Sequence, residues 1–447
     1  MFSIIIILIL VLYGRTYKYK NIIDDVCSKK HYLRVETAEL DKDLTFYDKQ
    51  RHWFYTFNSL ATFILTSALI YINGGFFSAL IWAVHPLQAQ AGAWKIGSWY
   101  CSTAMLILAS YTFMQFGFIG LLIGVVIYWL ALDSTAPSAL PYPLYLLSLQ
   151  FFGQDNWWVL LCFIPLIYFI IFDPRFKGTV KRRTEMAEYE TSLWSPHRLL
   201  VAVRIMAYNI VLFYWPSRLG FFHAFPLYSQ NKKPDLLFWL SLIFLSIFLY
   251  WAWSVSPAMT LWLIFFLLGF SQMYKPLGMQ IAERYGFIYN IALSVLTAKW
   301  IEGLPIGNLK YILLTIFVTL LFSRTWDYIK SFRHINTFFQ YSIINFPETP
   351  ESYNNAAMYQ IERGQWHKAL ELLLMAHKLS PYKKSFNNLC NIARCYRQVK
   401  AYDQELRFLE MAISSCPKSA NEFLDLQIRK AKDNWALVQR LQRKSDQ

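Results

Sequence analysis

Uncharged apolar stretches recur along the first three quarters of this chain, and no other feature restricts its fold as strongly. They fall near 1–17, 53–73, 76–92, 97–114, 117–132, 156–172, 199–216, 235–251, 254–272, 286–300 and 309–323. A run of about 18 such residues reaches across a hydrocarbon core as a helix, and a helix satisfies its own backbone polar groups there. The expectation is an all-α, polytopic membrane protein with about 11 transmembrane helices. The first stretch is short enough for a signal peptide. It lacks a basic leader and a small-residue cleavage site, so it reads as an anchored helix.

Composition agrees. Hydrophobic residues make up 56% of the 447 and charged residues only 16%, where a soluble chain would carry about a quarter charged. That balance excludes a disordered protein, and 17 Gly with 17 Pro exclude a collagen-like one. The six cysteines form no CxxC pair and no cluster with zinc spacing. The formal charge is +15. On a membrane chain such an excess sorts to one face or meets lipid phosphates, so membrane lipid, and no nucleic acid, is the expected partner.

Charge also predicts a topology. Arg175, Lys177, Lys181, Arg182 and Arg183 crowd the loop between the sixth and seventh stretches, which the positive-inside rule places in the cytoplasm. Counting outward puts the N-terminus inside and the C-terminus outside. The loops at 18–52, 133–155, 217–234 and 273–285 then share the outer face with everything after 324. One observation resists this: Lys18, Lys20, Lys29, Lys30, Arg34, Lys42, Lys49 and Arg51 fill the 18–52 loop, and acids in the same loop count little in the rule.

After about Pro347 the pattern turns polar and amphipathic, giving a membrane domain over 1–335 and a helical domain over 336–447. Gly364, Trp366, Ala369, Ala376 and Pro381 recur 36 residues later as Lys400, Tyr402, Glu405, Ala412 and Pro417. This resembles the tetratricopeptide repeat, whose unit of about 34 residues pairs two helices with small residues at their contact. Glu405 departs from the small residue that the second unit should carry. The segment 421–443 reads as a capping helix or two, and Tyr353, Trp366, Asn387 and Asn391 are the candidate acceptor-binding side chains of the repeats.

Four polar constellations interrupt the apolar pattern. Asp24-Asp25 follows the first stretch; adjacent carboxylates ionise unequally, so one can act as a base while the other orients it or binds a metal. His85-Pro86 breaks the third stretch, and a histidine inside an apolar run faces a protein interior or a wet cavity. Arg204 lies early in the seventh stretch, from which it would snorkel to cytoplasmic headgroups, and His223-Ala-Phe-Pro226 follows. Lys275-Pro276 and Ala282-Glu283-Arg284-Tyr285 bracket a short loop whose cations suit a phosphate or pyrophosphate. No phosphate-cradling glycine loop, GxSxG elbow, HExxH or dinucleotide fingerprint is present.

In this order, the Asp-Asp pair, the Ala-Val-His-Pro segment, the Arg-x-x-x-Tyr stretch with its His-x-Phe-Pro loop, the Ala-Glu-Arg-Tyr loop and the repeats resemble one family. It is that of the transmembrane and tetratricopeptide-repeat O-mannosyltransferases and their bacterial relatives, of the GT-C class. The resemblance implies a GT-C-like fold and an inverting transfer of a sugar from a polyprenyl-phosphate-linked donor to an acceptor hydroxyl, as in protein O-glycosylation. Asp24, with Asp25 second, would be the catalytic base. His85, Lys275, Glu283, Arg284, Arg204 and His223 would bind the donor phosphate. No organic cofactor is implied; the candidate cofactor is a divalent metal, Mg or Mn, held by Asp24 and Asp25. The acceptor protein would be held by the repeats, with site and repeats facing the periplasm of a bacterial inner membrane. Two departures stand out: the family's His-Pro motif often continues to a Glu, here Gln90, and its Asp-His-Asp-Phe-Pro loop here reads Phe222-His223-Ala224-Phe225-Pro226, without carboxylates. A lipid-linked oligosaccharide transferase or ligase, or a glycan polymerase, would use the same charge logic. A non-catalytic membrane scaffold acting through its repeats is the reading from another class.

Overall fold

The structure is a computed structural model that describes residues 1–18, 59–93, 98–152, 157–172, 196–220, 223, 234–271, 281–379, 386–413 and 436. Among the described residues it is helical without strands. The chain divides into two compact units, Met1–Leu219 with Phe225–His334, and Gly220–Ala224 with Ile335–Gln447.

The first unit holds α1 (Phe2–Tyr13), α2 (Ser59–Gly74), α3 (Phe76–Val84), α4 (Ala89–Ala93), α5 (Ser98–Phe113), α6 (Gly117–Ala139), α7 (Tyr142–Gln150), α8 (Phe163–Phe172), α9 (Pro196–Tyr214), α10 (Leu236–Val255), α11 (Pro257–Phe270), α12 (Gly286–Gly303) and α13 (Leu309–Ser331). Among the described residues three helices are long and apolar enough to cross a membrane: Gly117–Ser134 within α6, Leu236–Val255 and Leu309–Ser331. Their windows are only 33%, 22% and 28% buried, so most of each apolar surface faces outward, as expected of a helix in lipid. At the centre α12 is buried almost throughout, from Gly286 to Ala298. Trp82 and Trp262 donate to its carbonyls at Phe287 (3.3 Å) and Ile288 (3.1 Å), which gives both indole N–H groups a partner inside an apolar core.

Side-chain pairings fix the helix directions. Phe77 meets Tyr311 (5.8 Å) and Thr325 donates to the Val84 carbonyl (2.6 Å), so α3 and α13 run parallel. Trp82 meets Phe287 (4.8 Å) while Gly74 lies against Val295, so α12 runs against α3. Ser110 donates to Gly124 (2.8 Å) and Ser134 to Trp99 (3.4 Å), so α5 and α6 are antiparallel. Their close approach needs Gly124, where an added Cβ would stand 2.9 Å from the Ser110 carbonyl. Phe118 meets Trp158 and Trp129 meets Tyr168, so α8 runs with α6.

The bundle thus has two ends. At one, the turn end, the connections are short: around Gly75, 114–116, 151–156, Ser256 and 304–308. At the other, the loop end, lie Tyr13 of α1, Ser59 of α2, Phe172 of α8, Asp235 before α10, Phe270 of α11, Gly286 of α12 and Ser331 of α13.

Two departures from the sequence reading follow. The stretch 133–155 is not one loop: α7 runs from Pro141, packed on Gly269, to Phe152, whose ring meets Trp253 at the turn end (5.1 Å). Hydropathy misses it because its nine residues include Pro143 and Gln150, too short and too interrupted for an apolar window. Second, α9 and α10 run parallel. Arg204 pairs with Asp235 and Tyr214 meets Phe248 (6.1 Å), whereas consecutive spans should be antiparallel. Just after α9, Arg324 of α13 donates to the carbonyls of Pro216 (3.1 Å) and Ser217 (2.6 Å). Both helices flanking 173–195 therefore meet it at the loop end. The helix ends that flank 173–195 thus lie at the same end as those that flank 19–58 and 272–280, and the residues between them lie outside the described residues.

The second unit continues with α14 (Ile335–Asn345), α15 (Pro350–Glu362), α16 (Trp366–Leu379), α17 (Phe386–Gln398) and α18 (Tyr402–Ile413). α15 pairs with α16 and α17 with α18 around one apolar core containing Ala357, Ala369, Leu373, Leu389, Ala393 and Ala412. The two hairpins turn identically. Gly364 (φ 70°) and Lys400 (φ 62°) take the left-handed position after their helices, with the 6→1 bonds Gln365 N to Gln360 O (2.9 Å) and Ala401 N to Tyr396 O (3.0 Å).

Candidate functional site

The third constellation divides between the two units. Arg204 is 2% exposed and pairs with Asp235, which caps α10 by accepting from Phe238 N (2.9 Å). It does not reach headgroups by snorkelling, because the start of α10 offers a carboxylate within reach. His223 belongs to the second unit, where its ring packs on Phe346 (4.6 Å).

The second and fourth constellations meet at the loop end of the first unit. Pro86 has no N–H to continue α3, so the helix stops at Val84 and His85 turns extended (φ −73°, ψ 132°). His85 Nδ1 accepts from Leu87 N (3.2 Å), capping the 3-10 turn Pro86–Gln88. Its Nε2 lies 2.8 Å from the Phe213 carbonyl, which fixes the tautomer with the proton on Nε2. The ring is stacked on Phe213 at 4.2 Å and 8°. Both nitrogens are thus engaged within the protein. The Val84 carbonyl next to the break accepts from Thr325, so the break is held open by side chains from two other helices.

Glu283, Arg284 and Tyr285 form a 3-10 turn that leads into α12. All three are buried. The Arg284 backbone N–H donates to Gln90 Oε1 (3.3 Å), and Gln90 Nε2 donates to Tyr328 Oη (3.3 Å). A glutamate at position 90 would accept from Arg284 N but could not donate to Tyr328. The Arg284 guanidinium lies 5.1 Å from the Tyr285 ring, itself stacked on Phe270 (5.2 Å). The turn stands at the N-terminus of α12, where the helix dipole also favours an anion.

A further cation, missed in the sequence, packs on α13. Arg15, in the 3-10 turn Gly14–Lys18, donates to the Trp326 carbonyl (2.6 Å) and lies 3.7 Å over its ring. That turn delivers the chain into the segment carrying Asp24 and Asp25; these two and Lys275 lie outside the described residues. Equally missed are Gln88, Asn290 and Ser294, each fully enclosed. A polar residue within an apolar run was the available signal, and it is too common in helices to have singled them out.

Of the candidate acceptor residues, Trp366 packs on the core of the second unit with Arg394 over its ring (5.8 Å), and Asn391 donates to Met358 Sδ (3.3 Å). Tyr353 is half-buried on α15, and the Asn387 side chain lies outside the described residues. Among the described residues no three His, Cys, Asp or Glu gather where they could hold a metal ion. No protein-family model, curated protein or solved structure matches the chain.

Proposed function

We propose that this protein is a membrane glycosyltransferase of GT-C type that transfers a sugar from a polyprenyl-phosphate-linked donor to an acceptor hydroxyl, as in protein O-glycosylation. The observation that carries this reading is the meeting of a helix break at His85–Gln90 with the 3-10 turn Glu283–Tyr285 that opens α12, joined through Gln90 to Arg284. The described chain ends at Lys18 shortly before Asp24 and Asp25, which lie outside the described residues. On this reading Arg284 and Arg15, with Lys275, offset the charge that develops on the leaving phosphate. Asp24, or Asp25, accepts the proton of the attacking hydroxyl, which is typically worth about two to four orders of magnitude in rate. His85 acts by holding the helix break. The remaining apolar helices of the first unit complete a polytopic bundle. The paired helices 350–413 are two tetratricopeptide repeats that hold an extended acceptor polypeptide.

The reading entails that the loop end faces outward, toward the periplasm of a bacterial inner membrane, where exported acceptors lie. The test is transfer by the purified full-length protein from a mannosyl polyprenyl phosphate to a Ser/Thr-containing acceptor, followed by mass. Asp24→Asn is expected to abolish transfer while expression and melting temperature hold. Full transfer by Asp24→Asn and by Asp25→Asn would remove the catalytic assignment. Addition of a preassembled glycan block, and not of one sugar, would support the oligosaccharide transferase instead.

A further inference from the structure

The reading above leaves the sugar itself without a seat, and the interior of the first unit holds polar groups without a task. Gln88, Asn290 and Ser294 are each 0% exposed. Both amide atoms of Gln88, both of Asn290 and the Ser294 hydroxyl have no hydrogen-bond partner. Asn290 and Ser294 lie four residues apart on one face of α12. The 3-10 turn carrying Gln88 packs on α12 and on the Glu283–Tyr285 turn. Gly286 leaves room beside Asn290, for a Cβ there would stand 2.8 Å from Nδ2.

Leaving a buried polar group unpaired costs about 1–3 kcal/mol, and a core gains nothing from carrying three. Polar residues within membrane-spanning segments commonly mark a substrate path. The chemistry of these groups is specific: two amides that both donate and accept, and a hydroxyl, with no ionisable group among them. They complement a neutral, polyhydroxylated ligand, whereas Arg284 in the adjoining turn complements an anion.

We propose that Gln88, Asn290 and Ser294 form the subsite for the sugar hydroxyls of the lipid-linked donor. This rests on the glycosyltransferase reading and adds to it the residues that recognise the sugar as distinct from its phosphate. The test measures binding of two probes to the full-length protein in detergent: bare polyprenyl phosphate, and polyprenyl phosphate carrying a single mannose, glucose or N-acetylglucosamine. The wild type is expected to prefer one glycosylated probe by about tenfold or more. Asn290→Leu and Gln88→Met are expected to lose that preference, keep affinity for the bare phosphate, and melt no lower than the wild type. Ser294→Ala, the mildest change, is expected to lose part of the preference.

Retained preference in all three variants overturns the subsite. So does a sharp drop in melting temperature, which would assign the amides to structural water. A wild type that binds bare phosphate without preferring any glycosylated probe also overturns the subsite. A wild type that binds neither probe overturns the glycosyltransferase reading itself.

Discussion

At the scale of single residues, the second unit shows how a repeat tolerates departures. Lys400 adopts the left-handed conformation (φ 62°) that glycine provides at Gly364, and holds the same turn bonds. A Cβ in that conformation costs about 1 kcal/mol. Lys400→Gly should therefore slow hydrogen exchange of the α17 and α18 amides in the full-length protein, with no change elsewhere. Glu405 replaces a small residue at the helix contact. It is fully buried, bonded to Arg397 at 2.5 Å, and burial pushes its carboxyl above the usual glutamate range despite that partner. A folded-state pKa raised above the unfolded value means the folded form binds more protons, so its contribution is full below the unfolded pKa and is lost as pH rises through the folded one. Exchange in α17 and α18 should accordingly quicken as pH rises above the ordinary glutamate range and through the raised one, once the intrinsic rate is corrected for. In Glu405→Gln that dependence should vanish; its persistence would place the titration elsewhere. Neither residue's role was legible beforehand: the 36-residue period marked both positions as exceptions, but not how the turn and the ion pair accommodate them.

At the scale of elements, the long apolar helices were legible because period and length both speak for them; Leu236–Val255 and Leu309–Ser331 are long enough to span. The short α7 was not, and its omission reverses the end at which the helices flanking 173–195 stand. Nor was the parallel pairing of α9 and α10, which depends on where the intervening chain travels and not on the hydropathy of either helix. The Arg204–Asp235 pair is the diagnostic contact. Asp235→Ala removes both the α10 cap and the carboxylate beside a buried guanidinium, so it should lower the melting temperature more than Arg204→Met, which removes the charge together with its need for a partner. Equal effects would mean that the cap alone matters. Of the site, His85-Pro86 and Glu283-Arg284 could be picked out individually from sequence. Their meeting through Gln90 could not, because it joins residues 194 apart.

At the scale of the whole molecule, the helix ends that flank the basic segments 18–52 and 173–195 lie together, while Lys299 and Lys310 stand at the opposite end. That changes the argument from charge, which had set these two segments on opposite faces. Charge alone now sets the loop end inward; the glycosyltransferase reading sets it outward, with its cations facing donor phosphates. Cysteines introduced near residue 180 and near residue 310, in a background freed of native cysteines, should react with an impermeant thiol reagent from opposite sides of the membrane. The glycosyltransferase reading requires the one near 180 to react from outside. Reaction there only after permeabilisation would leave it without access to an exported acceptor.

The chain enters the second unit twice, first at Gly220–Ala224 and finally at Ile335. A single proteolytic nick after His334 would therefore not free that unit as an independent fragment. Its larger piece would keep at least the contact of Phe346 with His223, which stays covalently continuous with the first unit. The two pieces should co-purify in mild detergent and separate on denaturation, since the second unit is assembled from two stretches of chain and not from one.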